Sequence, residues 1–136
     1  MAVLKFKLID HPSDVGIIAC GKTREEIFEN AAYGMFASMA NLDKVAPKQK
    51  FEIKATGEDL ESLLVNWLNE LLFNEDAKKV LFKEFKIREM TDTSLKAEVW
   101  GEKINLNVHE LHRPIKAATY NQLQIGKNQA KIVFDV

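Results

Sequence analysis

One cysteine, Cys20, stands in the 136 residues of the chain. No intramolecular disulfide can form, and a reducing, intracellular setting is expected. Cys20 could serve as a nucleophile, but it closes the apolar run Val15–Cys20 and reads as a small buried strand residue. Charge of one sign is also missing: 19 basic against 20 acidic side chains leave a net charge of -1. A global positive field of the kind that holds nucleic acid is excluded, while a local basic patch is not. No run approaches the roughly 20 apolar residues of a membrane span. Apolar residues alternate with lysine from Met1 to Lys7, unlike a signal peptide. The expectation is a cytoplasmic protein with no membrane partner.

Catalytic signatures are equally scarce. The six glycines are scattered and form neither a Walker nor a dinucleotide-binding loop. There is no G-x-S-x-G elbow, and no pair of carboxylates announces a glycosidase couple. His109-Glu110-Leu111-His112 resembles a zinc-protease helix but fails on spacing, because that motif needs its second histidine four residues after the first and position 113 is arginine. The segment reads as a polar loop. Lys116, near Arg113 and His112, could form a small basic patch or simply a solvated strand face.

What is present is an ordinary globular composition, 46% hydrophobic and 29% charged, in one domain spanning 1–136. A chain of this length buries about 68% of its unfolded surface. Leu4 to Leu8 alternates as a strand, Asp10-His11-Pro12-Ser13-Asp14 forms a bent polar corner, and Val15 to Cys20 is a second strand. Thr23 and Glu26 have the spacing of a capping box. Behind them Ile27, Ala31, Met35 and Met39 recur every fourth residue, beside a second row of Phe28, Ala32 and Phe36, giving a helix with a wide apolar face. Phe51, Ile53 and Ala55 alternate as a half-exposed strand that Gly57 breaks. A second helix carries Leu60, Leu63, Leu64, Trp67, Leu68, Leu71 and Leu72, a stripe read as core in preference to a dimer seam.

From about residue 80 the pattern is β. Phe82 to Met90 and Leu95 to Val99 flank the turn Thr91-Asp92-Thr93 as a hairpin, closed by Gly101. Ile104, Leu106 and Val108 alternate again, Gly126-Lys127-Asn128 signals a turn, and Ala130, Ile132 and Phe134 alternate to the final residues. The expected fold is α+β: a mainly antiparallel sheet packed against two amphipathic helices.

One constellation has the chemistry of a metal site. Asp10, Ser13 and Asp14 supply oxygen donors in a tight loop, which hard cations prefer, although such a loop alone is equally an Asx turn. A strand running to Val136 would fix a main-chain carboxylate beside Asp135. Carboxylates gathered there would repel one another unless an ion sat among them.

These residues resemble the archease family. Asp10-His11-Pro12-Ser13-Asp14-Val15-Gly16 looks like its opening motif. The helix bearing Ala31, Ala32, Met35 and Phe36 looks like its first helix. Ile115-Lys116-Ala117-Ala118-Thr119-Tyr120 looks like its Lys-Ala-x-Thr-Tyr strand, and Phe134-Asp135-Val136 looks like its aspartate-aliphatic end. The match spans essentially the whole chain. It departs at Asn121, where the family often has histidine, and at Pro12-Ser13 in the opening motif.

The resemblance implies an accessory protein, not itself a catalyst. Such a protein promotes guanylylation and turnover of an RtcB-type RNA-splicing ligase, a GTP- and manganese-dependent enzyme that joins tRNA halves, and meets tRNA only indirectly. It implies that Asp14, Asp135 and the Val136 carboxylate hold a divalent ion, calcium in the family, with His11 and Lys116 as partner-facing or supporting residues. Two other classes compete: a stand-alone metal-dependent hydrolase using Asp14, Asp135 and His11, and a chaperone or adaptor for an RNA-modifying enzyme. If one ion is shared, the Asp14 and Asp135 carboxylates should lie within about 5 Å.

Overall fold

The computed structural model describes residues 5–10 and 15–136, with the side chain of Asp10 excepted. The corner His11 to Asp14 lies outside the described residues. The elements run β1 (Phe6–Asp10), β2 (Val15–Cys20), α1 (Arg24–Met39), β3 (Gln49–Thr56), α2 (Leu60–Lys78), β4 (Val80–Met90), β5 (Ser94–Lys103), β6 (Ala117–Ala118), β7 (Gln124–Ile125) and β8 (Gln129–Asp135). A short 3-10 turn, Leu42–Lys44, follows α1.

Each helix starts where its sequence can satisfy free backbone donors. Thr23 accepts from the Glu26 N–H at 3.1 Å. The Glu26 carboxylate, however, accepts from Lys22 N–H at 3.3 Å, one residue earlier than a full capping box would place it. The complete box belongs to α2. There Asp59 accepts from Ser62 N–H at 2.8 Å, and Ser62 Oγ accepts from Asp59 N–H at 3.1 Å.

The expected antiparallel strands and two helices are present, with the strands divided between two sheets. One sheet has the order β1-β2-β8-β6, with β7 also on β8; the other has the order β3-β5-β4. All pairings are antiparallel. The helices lie between the sheets: α1 packs on β2 and β4, and α2 packs on β3 and β6. Helix α1 therefore meets both layers. Phe36 meets the rings of Phe82 and Phe85 in the second sheet, with centroids at 5.5 and 5.8 Å. Gly34 faces the first sheet, where an added Cβ would come within 2.9 Å of Ile17 and Phe6. Only glycine lets that helix approach so closely.

Ile17, Ile27, Phe28, Phe36, Trp67, Leu68, Phe82, Ile132 and Phe134 belong to one continuous buried core. The leucine stripe of α2 is part of it, and no helix among the described residues is long and apolar enough to cross a membrane. The β4-β5 hairpin forms as its pattern predicts. Gly101 does not close it: β5 continues to Lys103, and a Cβ on Gly101 would overlap the carbonyl of Leu81. The alternation of Ile104, Leu106 and Val108 does not make a strand. After β5 the chain loops outward, leaving Leu106 and Val108 exposed.

Candidate functional site

The end of β8 is fastened on both sides. Val15 of β2 is paired with Phe134, and Asp10 of β1 is paired in turn with Val15. On the other side Ala118 is paired with Phe134 and Ala117 with Asp135. Lys116 N–H donates to the Asp135 carbonyl at 2.7 Å. Thr119 adds two bonds to the Val133 carbonyl, from its N–H at 3.2 Å and its hydroxyl at 2.7 Å. The row Asp10-Val15-Phe134-Ala118 thus crosses the whole first sheet at one end. Phe134 points into the core and Asp135 is exposed, as strand alternation requires. The side chain of Val136 packs against the core.

A two-residue strand such as β6 needs help to stay paired, and α2 supplies it. Asn69 Oδ1 accepts from Ala118 N–H at 2.7 Å, while its Nδ2 donates weakly to the Ala118 carbonyl at 3.4 Å. The amide acts as a substitute strand partner, tying β6 to α2 on one side while β8 holds it on the other. Nothing in the spacing of the sequence singled out Asn69.

Asp135 lies at this fastened sheet end, and Val136 and Lys116 flank it. Lys116 is exposed, as are His112 and Arg113, in the segment that leads into β6. His11 and Asp14 lie outside the described residues, and so does the expected separation of Asp14 from Asp135. Among the described residues, no three or more of His, Cys, Asp and Glu are gathered as around a metal ion. The donor chemistry of Asp135, a solvent-facing carboxylate on a fixed backbone, suits a hard divalent cation.

The His109–His112 segment holds a different device from the zinc helix it superficially resembles. His109 is buried. Its Nδ1 accepts from Asn105 N–H at 2.9 Å, so the proton sits on Nε2, which donates to Glu102 Oε1 at 2.6 Å. Glu102 also accepts from Ala46 N–H at 3.2 Å, and Lys48 lies 3.5 Å away. The polar-loop reading is therefore corrected for His109: it is the peg that pins the loop after β5 onto the sheet. His112 is exposed and pairs with Glu110 at 3.1 Å. Cys20 is half-buried at the end of β2, with its carbonyl accepting from Asn30.

The His109 hydrogen bond, then Ala46 N–H and Lys48, hold the Glu102 carboxyl below the usual glutamate range. Burial pushes Glu29 and Glu75 the other way. A depressed folded-state value means the Glu102 contribution is full above the ordinary glutamate value of 4.5 and is lost as pH falls through the folded value. Glu102→Gln should lower the urea midpoint at neutral pH. It should also lose less stability than the wild-type chain between neutral pH and about pH 3. Parallel curves for the two proteins would show that the pair contributes nothing to acid sensitivity.

Two helices between two antiparallel sheets define an α+β domain whose exposed acidic end is built by pairing of its last strand. The Archease protein family model matches residues 6–136, and the chain belongs to that family. Protein archease of Sulfolobus acidocaldarius is 38% identical over 130 residues, covering 95% of this chain and 94% of that protein. Protein archease of Saccharolobus islandicus is 42% identical over 125 residues, covering 91% and 90%. The solution structure of Methanobacterium thermoautotrophicum protein 1598 superposes with a TM-score of 0.80 at 34% identity, covering 97% of this chain and 99% of the other. An archease from Thermotoga maritima shares the fold at 20% identity, with a TM-score of 0.63 and 96% of each chain covered.

Proposed function

We propose that this archease is a protein cofactor of an RtcB-type RNA-splicing ligase, promoting its guanylylation and turnover in tRNA splicing, and acts through a divalent ion, calcium by preference. Asp14, Asp135 and the Val136 carboxylate would hold the ion, with His11 and Lys116 supporting it or facing the ligase. When bound, the ion would supply a fixed positive charge at an otherwise anionic sheet end. The observation that carries the reading is the anchoring of Asp135 within a chain of this family. Asp135 follows Phe134, which is paired with Val15. Val15, the partner of Phe134, is the residue that follows Asp14 in the sequence. Two side-chain carboxylates and one main-chain carboxylate suit a hard cation that fills its remaining positions with water.

The test mixes the protein with its ligase, GTP and manganese and follows covalent ligase–guanylate. The wild-type chain should accelerate guanylylation, and Asp14→Ala and Asp135→Ala should each remove most of that acceleration while leaving the fold intact by circular dichroism. No stimulation by the wild-type chain overturns the activator reading. Undiminished stimulation by both variants overturns the role of the ion alone.

A further inference from the structure

We propose that a cleft beside α1, between Lys5 at the entry to β1 and the edge strand β4, binds a nucleoside phosphate, either free or as one unit of a single-stranded nucleic acid. The cleft has a volume of about 470 Å³, within the range of small-ligand sites. Its cations are Lys5, Lys83, Lys86 and Arg88, against two acids, Glu29 and Glu84. In a chain of net charge -1, that is a local concentration of positive charge. One of the acids is already engaged, since Glu29 Oε2 accepts from Ile87 N–H at 2.8 Å.

The shape of β4 puts the cations there. Its pairing with β5 slips twice, between Phe82 and Glu84 and between Ile87 and Glu89. The residues passed over are Lys83 and Arg88. Bulges of this kind re-aim side chains at an edge, and here both extra residues are cationic and both line the same cleft. Elsewhere on the second sheet Lys50 and Lys96 each pair with a glutamate, while Lys54 and Lys103 have no ion pair among the described residues. Lys83 and Lys86 have no ion pair among the described residues. Arg88 is held by Glu98 at 2.5 Å, and Lys5 Nζ sits 4.2 Å from the centre of the Tyr33 ring.

Three half-buried rings, Tyr33, Phe85 and Trp100, line the same space. Cations alone would accept any anion. Interleaved aromatic faces favour one that carries a flat base, which stacks without regard to sequence. An acidic peptide would satisfy the lysines and leave the rings unused.

The two tryptophans provide the assay. Trp67 is fully buried, whereas Trp100 borders the cleft, so quenching by a bound base reports on Trp100. The intact protein is titrated with a short oligoadenylate, with adenosine monophosphate, with inorganic phosphate and with a polyglutamate peptide, at about 50 and 200 mM salt. Oligoadenylate should quench saturably. Its affinity should fall with a log-log salt slope near −2, as about three phosphates neutralised on a single strand require. The double variant Lys83→Gln, Lys86→Gln should weaken binding at least tenfold at low salt and make the slope shallower by about 1.4. Binding of the mononucleotide as tight as the strand identifies a free nucleotide as the ligand, and binding of the strand alone identifies a nucleic acid. Trp100→Phe should abolish the quench while a labelled oligonucleotide still binds, which keeps the reading independent of the two lysines. Absence of a quench with both adenylates overturns the proposal. So does equal quenching by polyglutamate, or adenylate binding that the double lysine variant leaves unchanged.

Discussion

Trp67→Ala should remove about 5 kcal/mol of stability and bring the chain close to the unfolded state at room temperature. Trp67 is the largest fully buried side chain, and it sits on α2 between the two sheets. Truncating a buried tryptophan costs about 3–5 kcal/mol in lost transfer energy and cavity formation. The indole also donates from Nε1 to the Phe28 carbonyl at 3.0 Å. That bond joins the two helices in the middle of the core; the Phe28 carbonyl still accepts within α1, so its loss adds about 0.5–1.5 kcal/mol. Domains of this size are stable by about 5–15 kcal/mol. Trp67→Phe separates the two contributions, since it keeps a ring and discards the donor, and should cost about 1–2 kcal/mol. Urea unfolding followed by far-ultraviolet circular dichroism measures both. An alanine variant within about 2 kcal/mol of the wild-type chain would mean that the core closes around the gap.

Much of this architecture is legible from periodicity. The two helices, the β4-β5 hairpin, the turn at Gly126-Lys127-Asn128 and the final strand occur where apolar spacing and turn chemistry predict them. The partition of the strands into two sheets is less legible, although α1 carries the clue. A helix that covers one sheet has a single apolar face. On α1, Phe36 points to one layer and Gly34 to the other, so the helix answers two partners. Glycine at a packing face leaves no hydrophobic mark in a sequence, and the second contact is hidden for that reason. The loop after β5 misleads in the opposite direction. Ile104, Leu106 and Val108 alternate like a strand, yet Ile104 N–H bonds the Lys79 carbonyl at the end of α2, Val108 N–H turns back onto the Asn105 carbonyl within the loop, and Leu106 is 75% exposed. Alternation predicts a strand only where a partner edge is available.

The candidate site divides along similar lines. Asp135 and Val136 are legible because a β pattern carried into the final residues fixes them. Asn69 and the Glu102–His109 pair are not legible. Asn69 reaches a backbone 49 residues away and Glu102 a side chain seven residues away, and no period marks such a partnership. His109 drew attention for its neighbour His112, whereas its actual partner is Glu102, on the strand before the loop. The basic cleft is hidden for a comparable reason: Lys83 and Arg88 look like ordinary strand lysine and arginine until the two register slips turn them toward Lys5.

Calcium affinity should fall in two steps of different size when the sheet end is altered, given the proposed ion site. Asp135→Asn keeps the shape and removes the charge of a direct ligand, so the loss should exceed about 100-fold, beyond what supporting residues usually cost. Asn69→Ala touches no ligand. It removes the amide that holds Ala118 from the α2 side, and thereby loosens the strand that pairs with Asp135. A supporting contact of this kind is worth about 10–100-fold in metal affinity, and the lower end is expected because β8 still holds β6. Hydrogen exchange gives a reading that needs no metal. The Ala118 and Lys116 amides should lose about 1–3 kcal/mol of protection in Asn69→Ala, while amides of the β4-β5 hairpin stay unchanged. Calorimetric titration with calcium then decides the coupling. Lost protection together with weakened calcium binding makes Asn69 a positioning residue for the ion. Lost protection with unchanged calcium affinity confines its role to the fold and places the ion's support entirely on β2 and β8.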